Sequence, residues 1–296
     1  MATVQDLRRR IRSVRNTRNI TKAMELVASA RLRRAQARIE AMRPFADRML
    51  ELMIGTARAA ASVHGLPLLQ RREEQTVAIL PLTGDRGLAG AFNAQILRHA
   101  LALDRRLHAE GKQVLWLASG RRGVSSLYFR HFEIAQAWTG FSDRPAYADG
   151  QAIAHRLIEL YSTEEIDRAV VVYNHFVSPL VQKVVEQDVL PVPEQLLEDH
   201  GEQERMEAVL GDVIYEPEPE EILARLLPVY VETEIYRALL ESAASEQGAR
   251  MTAMRNASKN AAELIDALTL AMNRARQAEI TQEILEVVAG ADALTQ

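Results

Sequence analysis

The chain has 296 residues, 48% of them hydrophobic and 26% charged, with aromatic residues at only 5% and a net charge of −4. That balance suits one large domain or two modest ones, and the acidic total speaks against a general nucleic-acid binder. Cysteine is absent, which excludes disulfides, thiol catalysis, Cys-ligated zinc and thiol redox control, and agrees with a reducing, intracellular setting.

The first residues, MATVQDLRRRIRSVRN, lack the apolar core of a signal peptide. No run approaches the ~18 uncharged residues of a membrane span. We therefore expect a soluble chain that meets a membrane only through partners. Residues 3–60 read as one long helix, rich in Ala, Leu, Arg and Glu, which lose little freedom in that conformation. Leu7, Ile11, Val14, Ala28, Leu32, Ala35, Ile39, Met42 and Met49 fall at alternating steps of four and three, the seam of a coiled coil. In the middle, Arg18, Thr21 and Glu25 occupy seam positions and a shifted stripe of Ile20, Met24 and Val27 takes over, so that either the helix rotates relative to its partner or a second surface contacts it there. Pro44 should bend the helix slightly.

A connector with Gly65 and Pro67 leads to TVAILPL (76–82), a short apolar run suited to a buried strand. Gly84, Gly87 and Gly90 follow in a turn, then an amphipathic helix over 92–111, a strand over 112–119 and a short helix over 121–130. Residues 132–136 read as a third strand, 147–161 as another helix, and 168–176 and 181–192 as the last two strands. Buried strands alternating with helices predict a small layered α/β domain over 75–195. An acidic, polar stretch fills 193–221, ending in EPEPEE. From Ile222 to about Val288 the helical pattern returns, interrupted by Pro228. Leu264, Leu268, Met272 and Ala275 continue its seam, and Ile280, Ile284 and Val287 resume it after a slip. The tail 284–294 is apolar on most sides, the pattern of an interaction surface.

The two ends should pair, residues 1–60 with 205–296. Residues 1–60 carry 14 basic and 5 acidic side chains, and residues 205–296 carry 8 basic and 16 acidic ones. Exposed pairs are worth at most about 1 kcal/mol each, so the apolar seam must supply most of the stability.

Candidate chemistry is sparse. TGDRGLAGAFN (83–93) lies between a strand and a helix, where phosphate loops occur, yet its glycines are three apart and no G-K-[ST] follows. A tight turn exposing Asp85 and Arg86 for protein contact fits better. The basic run Arg8, Arg9, Arg10, Arg12, Arg15 and Arg18, with Arg31, Arg33 and Arg34, has no interleaved aromatics. It suits a solvated face or an acidic protein partner. The seven histidines are scattered, the serines lack a nucleophile-elbow context, and Glu220–Glu221 look like helix-start charges. No catalytic, cofactor-binding or metal-ligating set emerges. Gln277 and Thr281 share a helix face at a spacing of four, and Arg250 lies earlier on the same helix.

RSVRNTRNITKAMELVASARLRRAQ (12–36), GDRGLAGAFN (84–93), SAASEQGARMTAMRNASKNA (242–261) and NRARQAEITQEILEVVAGADAL (273–294) closely resemble segments of the gamma subunit family of bacterial-type F-type ATP synthases. The resemblance spans the chain and implies an α/β plus α fold, an antiparallel coiled coil of both termini with a central Rossmann-like α/β domain. It implies a non-catalytic rotor shaft inside the hexamer of α and β subunits (α3β3), whose globular foot meets the epsilon subunit and the membrane c-ring. It carries Met24, Arg250, Gln277 and Thr281 to rotor–stator coupling, and Arg9, Arg33, Arg34, Asp85 and Arg86 to the acidic lever of the β subunit. Arg250→Ala and Gln277→Ala should then impair coupling more than stability. Ala89 stands where the family carries Cys, and Gly248 where it carries Ala. Two rivals stay open: a Rossmann-type nucleotide-binding enzyme with helical dimerisation arms, which should bind nucleotide at 83–93, and a coiled-coil scaffold or nucleic-acid protein, whose binding should fall steeply with salt.

Overall fold

The computed structural model describes residues 3–60, 65–193 and 216–294. Its elements are α1 (Val4–Ala59), β1 (Thr76–Pro81), α2 (Phe92–Ala109), β2 (Gln113–Ser119), α3 (Arg121–Phe129), β3 (Ile134–Trp138), α4 (Tyr147–Ser162), β4 (Arg168–Phe176), β5 (Gln182–Leu190) and α5 (Pro219–Leu294). The described residues fall into two compact units, one of residues 29–250 and the other of residues 1–28 with 251–296.

In the first unit the five strands form one sheet in the order β3-β2-β1-β4-β5, with β5 antiparallel and the other pairings parallel. The central strands are apolar on both faces because both faces are covered. Val77 and Ile79 of β1, Val170 and Val172 of β4, and Trp116 of β2 meet Phe92, Ile96, Ala100, Leu103 and Leu107 of α2 and Leu127 of α3. On the opposite face Ala78, Leu80, Leu117, Val171 and Tyr173 meet Ile153, Leu157 and Leu160 of α4, Met49 and Met53 of α1, and Leu227, Val231 and Ile235 of α5. The third strand lies two residues later than its apolar signal, over Ile134–Trp138. It is an edge strand, where pairing with β2 rather than burial sets the limits.

α5 begins at Pro219, three residues before the pattern suggested, and is continuous through Pro228. Proline removes one donor at a cost of about 3 kcal/mol. The flanking Leu227 and Val231 are buried in the core, and that burial outweighs the lost bond. The part of the predicted C-terminal segment over 205–215 lies outside the described residues.

In the second unit the two helix ends run antiparallel, since Glu25, late in the first segment, meets Arg255, early in the second, at 3.0 Å. Leu7, Ile11, Thr21, Glu25 and Ala28 are buried on one side, and Met251, Met254, Ala261 and Ile265 on the other. The seam therefore does not shift in its middle. Ile20 and Val27 of the expected stripe are 61% and 53% exposed, and Met24 is half-buried. Thr21 and Glu25 hold the seam because their polar atoms find partners. The Thr21 hydroxyl donates to the Arg18 carbonyl at 3.0 Å, and Arg255 and Lys22 donate to the Glu25 carboxylate at 3.0 and 3.1 Å. On α5 the seam passes through Ile265 rather than Leu264, which is exposed. Residues 276–289 are exposed throughout, so Ile280, Ile284 and Val287 do not rejoin a seam within this chain.

Candidate functional site

The chain leaves β1 for β2 on one side and later returns to β4 on the other. At such a switch point the following loops diverge and open a crevice beyond the carboxyl ends of the strands, the usual ligand site of a doubly wound sheet. Here α5 fills it. The Ser242 hydroxyl donates to the carbonyl of Leu82, just past β1, at 3.1 Å, and the Ser245 hydroxyl donates to the carbonyl of Asn174 on β4 at 2.9 Å. The Glu246 carboxylate rests against Gly84, where an added Cβ would lie 2.8 Å from its carboxyl carbon. Only glycine allows that approach. An internal carboxylate thus stands over the glycine turn where an anionic ligand would otherwise have to sit.

The loops around the crevice are pinned to one another. Thr83 donates to the Ser119 carbonyl at 2.8 Å and accepts the Gly123 amide at 2.8 Å. Gly120, at φ 90°, lies so close that a Cβ would meet the Thr83 carbonyl oxygen at 2.0 Å. The amide of Gly84 donates to the side chain of Asn93 on α2 at 2.8 Å, so the chain itself uses this turn amide. Asp85 is half-buried and turned inward. Its carboxylate accepts the backbone amides of Gly140, Arg121 and Ser142 at 2.9, 3.0 and 3.1 Å. Burial alone would push its pKa up, but those amides together outweigh it and hold the carboxyl below the ordinary range.

A charged cluster continues from there. Asp143 takes Arg31 of α1 at 2.8 Å, Arg86 at 3.3 Å, Gln247 at 3.2 Å and Arg250 at 3.8 Å. Arg250 is only 7% exposed; it donates to Glu246 at 2.5 Å and to the Gly87 carbonyl at 3.3 Å. Glu246 is 1% exposed. Burial pushes its pKa up, Arg250 pulls it down, and Asp143 and Asp85 push it up further, with a net rise.

The predicted site residues divide accordingly. Asp85, Arg86 and Arg250 come together around Asp143 and Glu246. Of Asp85 and Arg86, both expected to be exposed by the turn, only Arg86 is, because Asp85 is consumed by the amides of the neighbouring loops. Arg33 and Arg34 are exposed on α1. Arg9, Met24, Gln277 and Thr281 belong to the other unit. There Arg9 pairs with Asp6 at 2.6 Å, and the Thr281 hydroxyl donates to the Gln277 carbonyl at 2.9 Å, with both residues exposed. Sequence reasoning missed Asp143, Glu246, Ser242 and Ser245. The run of small residues around the two serines, with Gly248, was a signal of close helix approach; Asp143, in a turn, carried none. Gly248 has its own neighbour, since a Cβ there would lie 3.2 Å from the Pro179 carbonyl and from the Gln182 side chain.

Among the described residues no cluster of three or more His, Asp or Glu could hold a metal, and no helix is long and apolar enough to cross a membrane.

A family model described as ATP synthase matches residues 3–294. The ATP synthase gamma chain of Rubrobacter xylanophilus is 45% identical over 295 residues, covering 99% of each chain. That of Moorella thermoacetica is also 45% identical, over 294 residues, covering 99% of this chain and 100% of the other. Among solved structures, a chain of the Tetrahymena thermophila mitochondrial ATP synthase central stalk and c-ring matches with TM-score 0.57 and 27% identity, over 81% of this chain and 99% of that one. A chain from the Euglena gracilis mitochondrial ATP synthase matches in fold with TM-score 0.69 at 18% identity, over 98% of this chain and 94% of that one.

Proposed function

The chain belongs to the ATP synthase gamma chain family, and from that premise we infer that it is the central rotor shaft of the synthase, coupling ion flow through the c-ring to ATP synthesis on the β subunits by rotating inside α3β3. The observation that carries this reading is the end-to-end match to gamma chains, with 99% of both sequences aligned at 45% identity. The rival nucleotide-binding enzyme is not favoured, because α5 occupies the crevice such an enzyme needs.

The mechanism follows from symmetry. One asymmetric shaft presents a different face to each of three identical β subunits, so each catalytic site is biased toward a different conformation. Moving a site from 1:99 to 99:1 takes about 5.5 kcal/mol of differential contact, within reach of several polar and packing contacts together. Coupling free energy is reciprocal, so hydrolysis turns the shaft and a driven shaft promotes synthesis. In this reading the chain is non-catalytic and the chemistry stays on β. It lies peripherally on the cytoplasmic face of the membrane, with the epsilon subunit and the c-ring as further partners; the reading needs no cofactor. The exposed Arg9, Arg33, Arg34, Arg86, Gln277 and Thr281, with half-buried Met24, are available as contacts to the β subunits. Asp85 and Arg250 act indirectly, by holding the loop that displays Arg86.

Reconstitution with α and β subunits tests this. One copy of the chain per hexamer should assemble, and a bead on its α/β unit should rotate on addition of ATP. A chain that never enters the hexamer, or a bead that stays still in active complexes, would remove the assignment.

A further inference from the structure

Residues 242–250 of α5 bond to the strand ends and loops around the crevice, whereas its earlier turns combine apolar packing with two bonds to the sheet, Gln187 donating to Glu234 and His175 pairing with Glu241. Burial of apolar area has no preferred direction, so packing by itself resists a roll or a slide of the helix less sharply than directed bonds do. Hydrogen bonds weaken steeply with misalignment and so resist both. The bonds from this short stretch go to separate places around the crevice. Ser242 reaches the end of β1, Ser245 reaches β4, Gln247 reaches Asp143 in the β3–α4 loop, and Arg250 reaches Gly87 in the β1–α2 loop. Glu246 sits at the centre of these attachments. It is buried against Gly84 and holds Arg250 one turn further along the helix.

Resting on the rotor reading, we infer that residues 242–250 are a torque key and that Glu246 is its positioning residue, fixing the rotational register of α5 on the sheet. Twist applied to the α/β unit is then passed into the helix rather than lost as slip. The carboxylate does this in two ways. Its bulk fills the space left by the missing Gly84 side chain, so a roll of the helix toward the turn is blocked. Its charge orients Arg250 so that one nitrogen faces Glu246 and the Gly87 carbonyl while the other faces Asp143. The groups facing Glu246 are therefore Arg250 from its own helix and Asp143 and Asp85 from the loops.

The test uses the whole synthase in vesicles, with Glu246→Gln, which keeps the shape and removes the charge, and Glu246→Asp, which keeps the charge on a shorter stem. Glu246→Gln should assemble and rotate without load at close to the parental rate. Under viscous load on the α/β unit it should slip roughly tenfold more often, the weight of one charge-assisted bond in the register. Ions pumped per ATP hydrolysed should fall accordingly, with Glu246→Asp in between. Loss of packing alone would lower assembly and leave that ratio unchanged. If Glu246→Gln does not assemble, the uncharged pair Ser242→Ala with Ser245→Ala probes the same key and should show the same load-dependent slip. An unchanged pumping ratio and stall load in whichever variant assembles overturns the proposal. If the parental chain does not rotate at all, it is the rotor reading that fails.

Discussion

At the scale of single residues, the site is a set of carboxylates whose surroundings move them in opposite directions. Asp85 is held below the ordinary 3.8 by three amides that overcome its burial. Its contribution to stability is therefore complete above that value and is lost as pH falls through the lowered pKa. Asp85→Asn should lower the unfolding free energy by about 1–2 kcal/mol at neutral pH, allowing for partial exposure. The gap to the parent should close in strong acid; a urea series at several pH values measures both. Arg250 shows how tertiary structure changes an expectation. Because it is the buried partner of Glu246, Arg250→Ala should cost about 3 kcal/mol of stability as well as coupling. Part of that cost should be relieved in acid, where Glu246 takes up a proton. Gln277→Ala, at an exposed position, should leave stability within about 0.5 kcal/mol and act on coupling alone. Equal unfolding midpoints for the two variants would contradict this assignment.

At the scale of elements, the long helices were legible because a heptad repeats within one segment. Of the two readings of their polar interruption the register excludes a rotated seam, and the reason is physical. A seam position can carry Thr21 or Glu25 if the facing helix brings a donor, and Arg255 lies 230 residues from Glu25 in sequence. One helix alone cannot show that its partner supplies that donor. Replacing a paired, buried charge with a well-fitting apolar residue is often neutral or stabilising. Glu25→Leu, leaving the half-exposed Arg255 free to reach water, should raise the unfolding midpoint followed by helix circular dichroism; a lower midpoint would mean the ion pair is essential to the seam. The stripe of Ile20 and Val27 is left exposed by this register and remains available to a partner protein.

At the scale of the whole molecule, the most telling feature is that the chain uses its own helix to occupy the place where a doubly wound sheet would hold a ligand. That converts a binding fold into a mechanical one. The other whole-molecule feature is the run from residue 276 to 289, exposed on every side. Deleting the last dozen residues should weaken torque, read as a lower stall load, without abolishing assembly, because its apolar contacts are dispersed rather than directed. Loss of assembly on that deletion would show that the tip organises the hexamer.

The sequence by itself determined the two long helices, the alternation of strands and helices between them, and the family, since periodicity and signature segments are properties of short stretches of chain. Only the tertiary structure decided that Glu246 and Asp143 matter, that Asp85 faces inward, and that the glycine turn is closed from within. The Ser242–Leu82 bond joins residues 160 apart. Such neighbours are set by how the layers pack, and nothing local to either residue records the other.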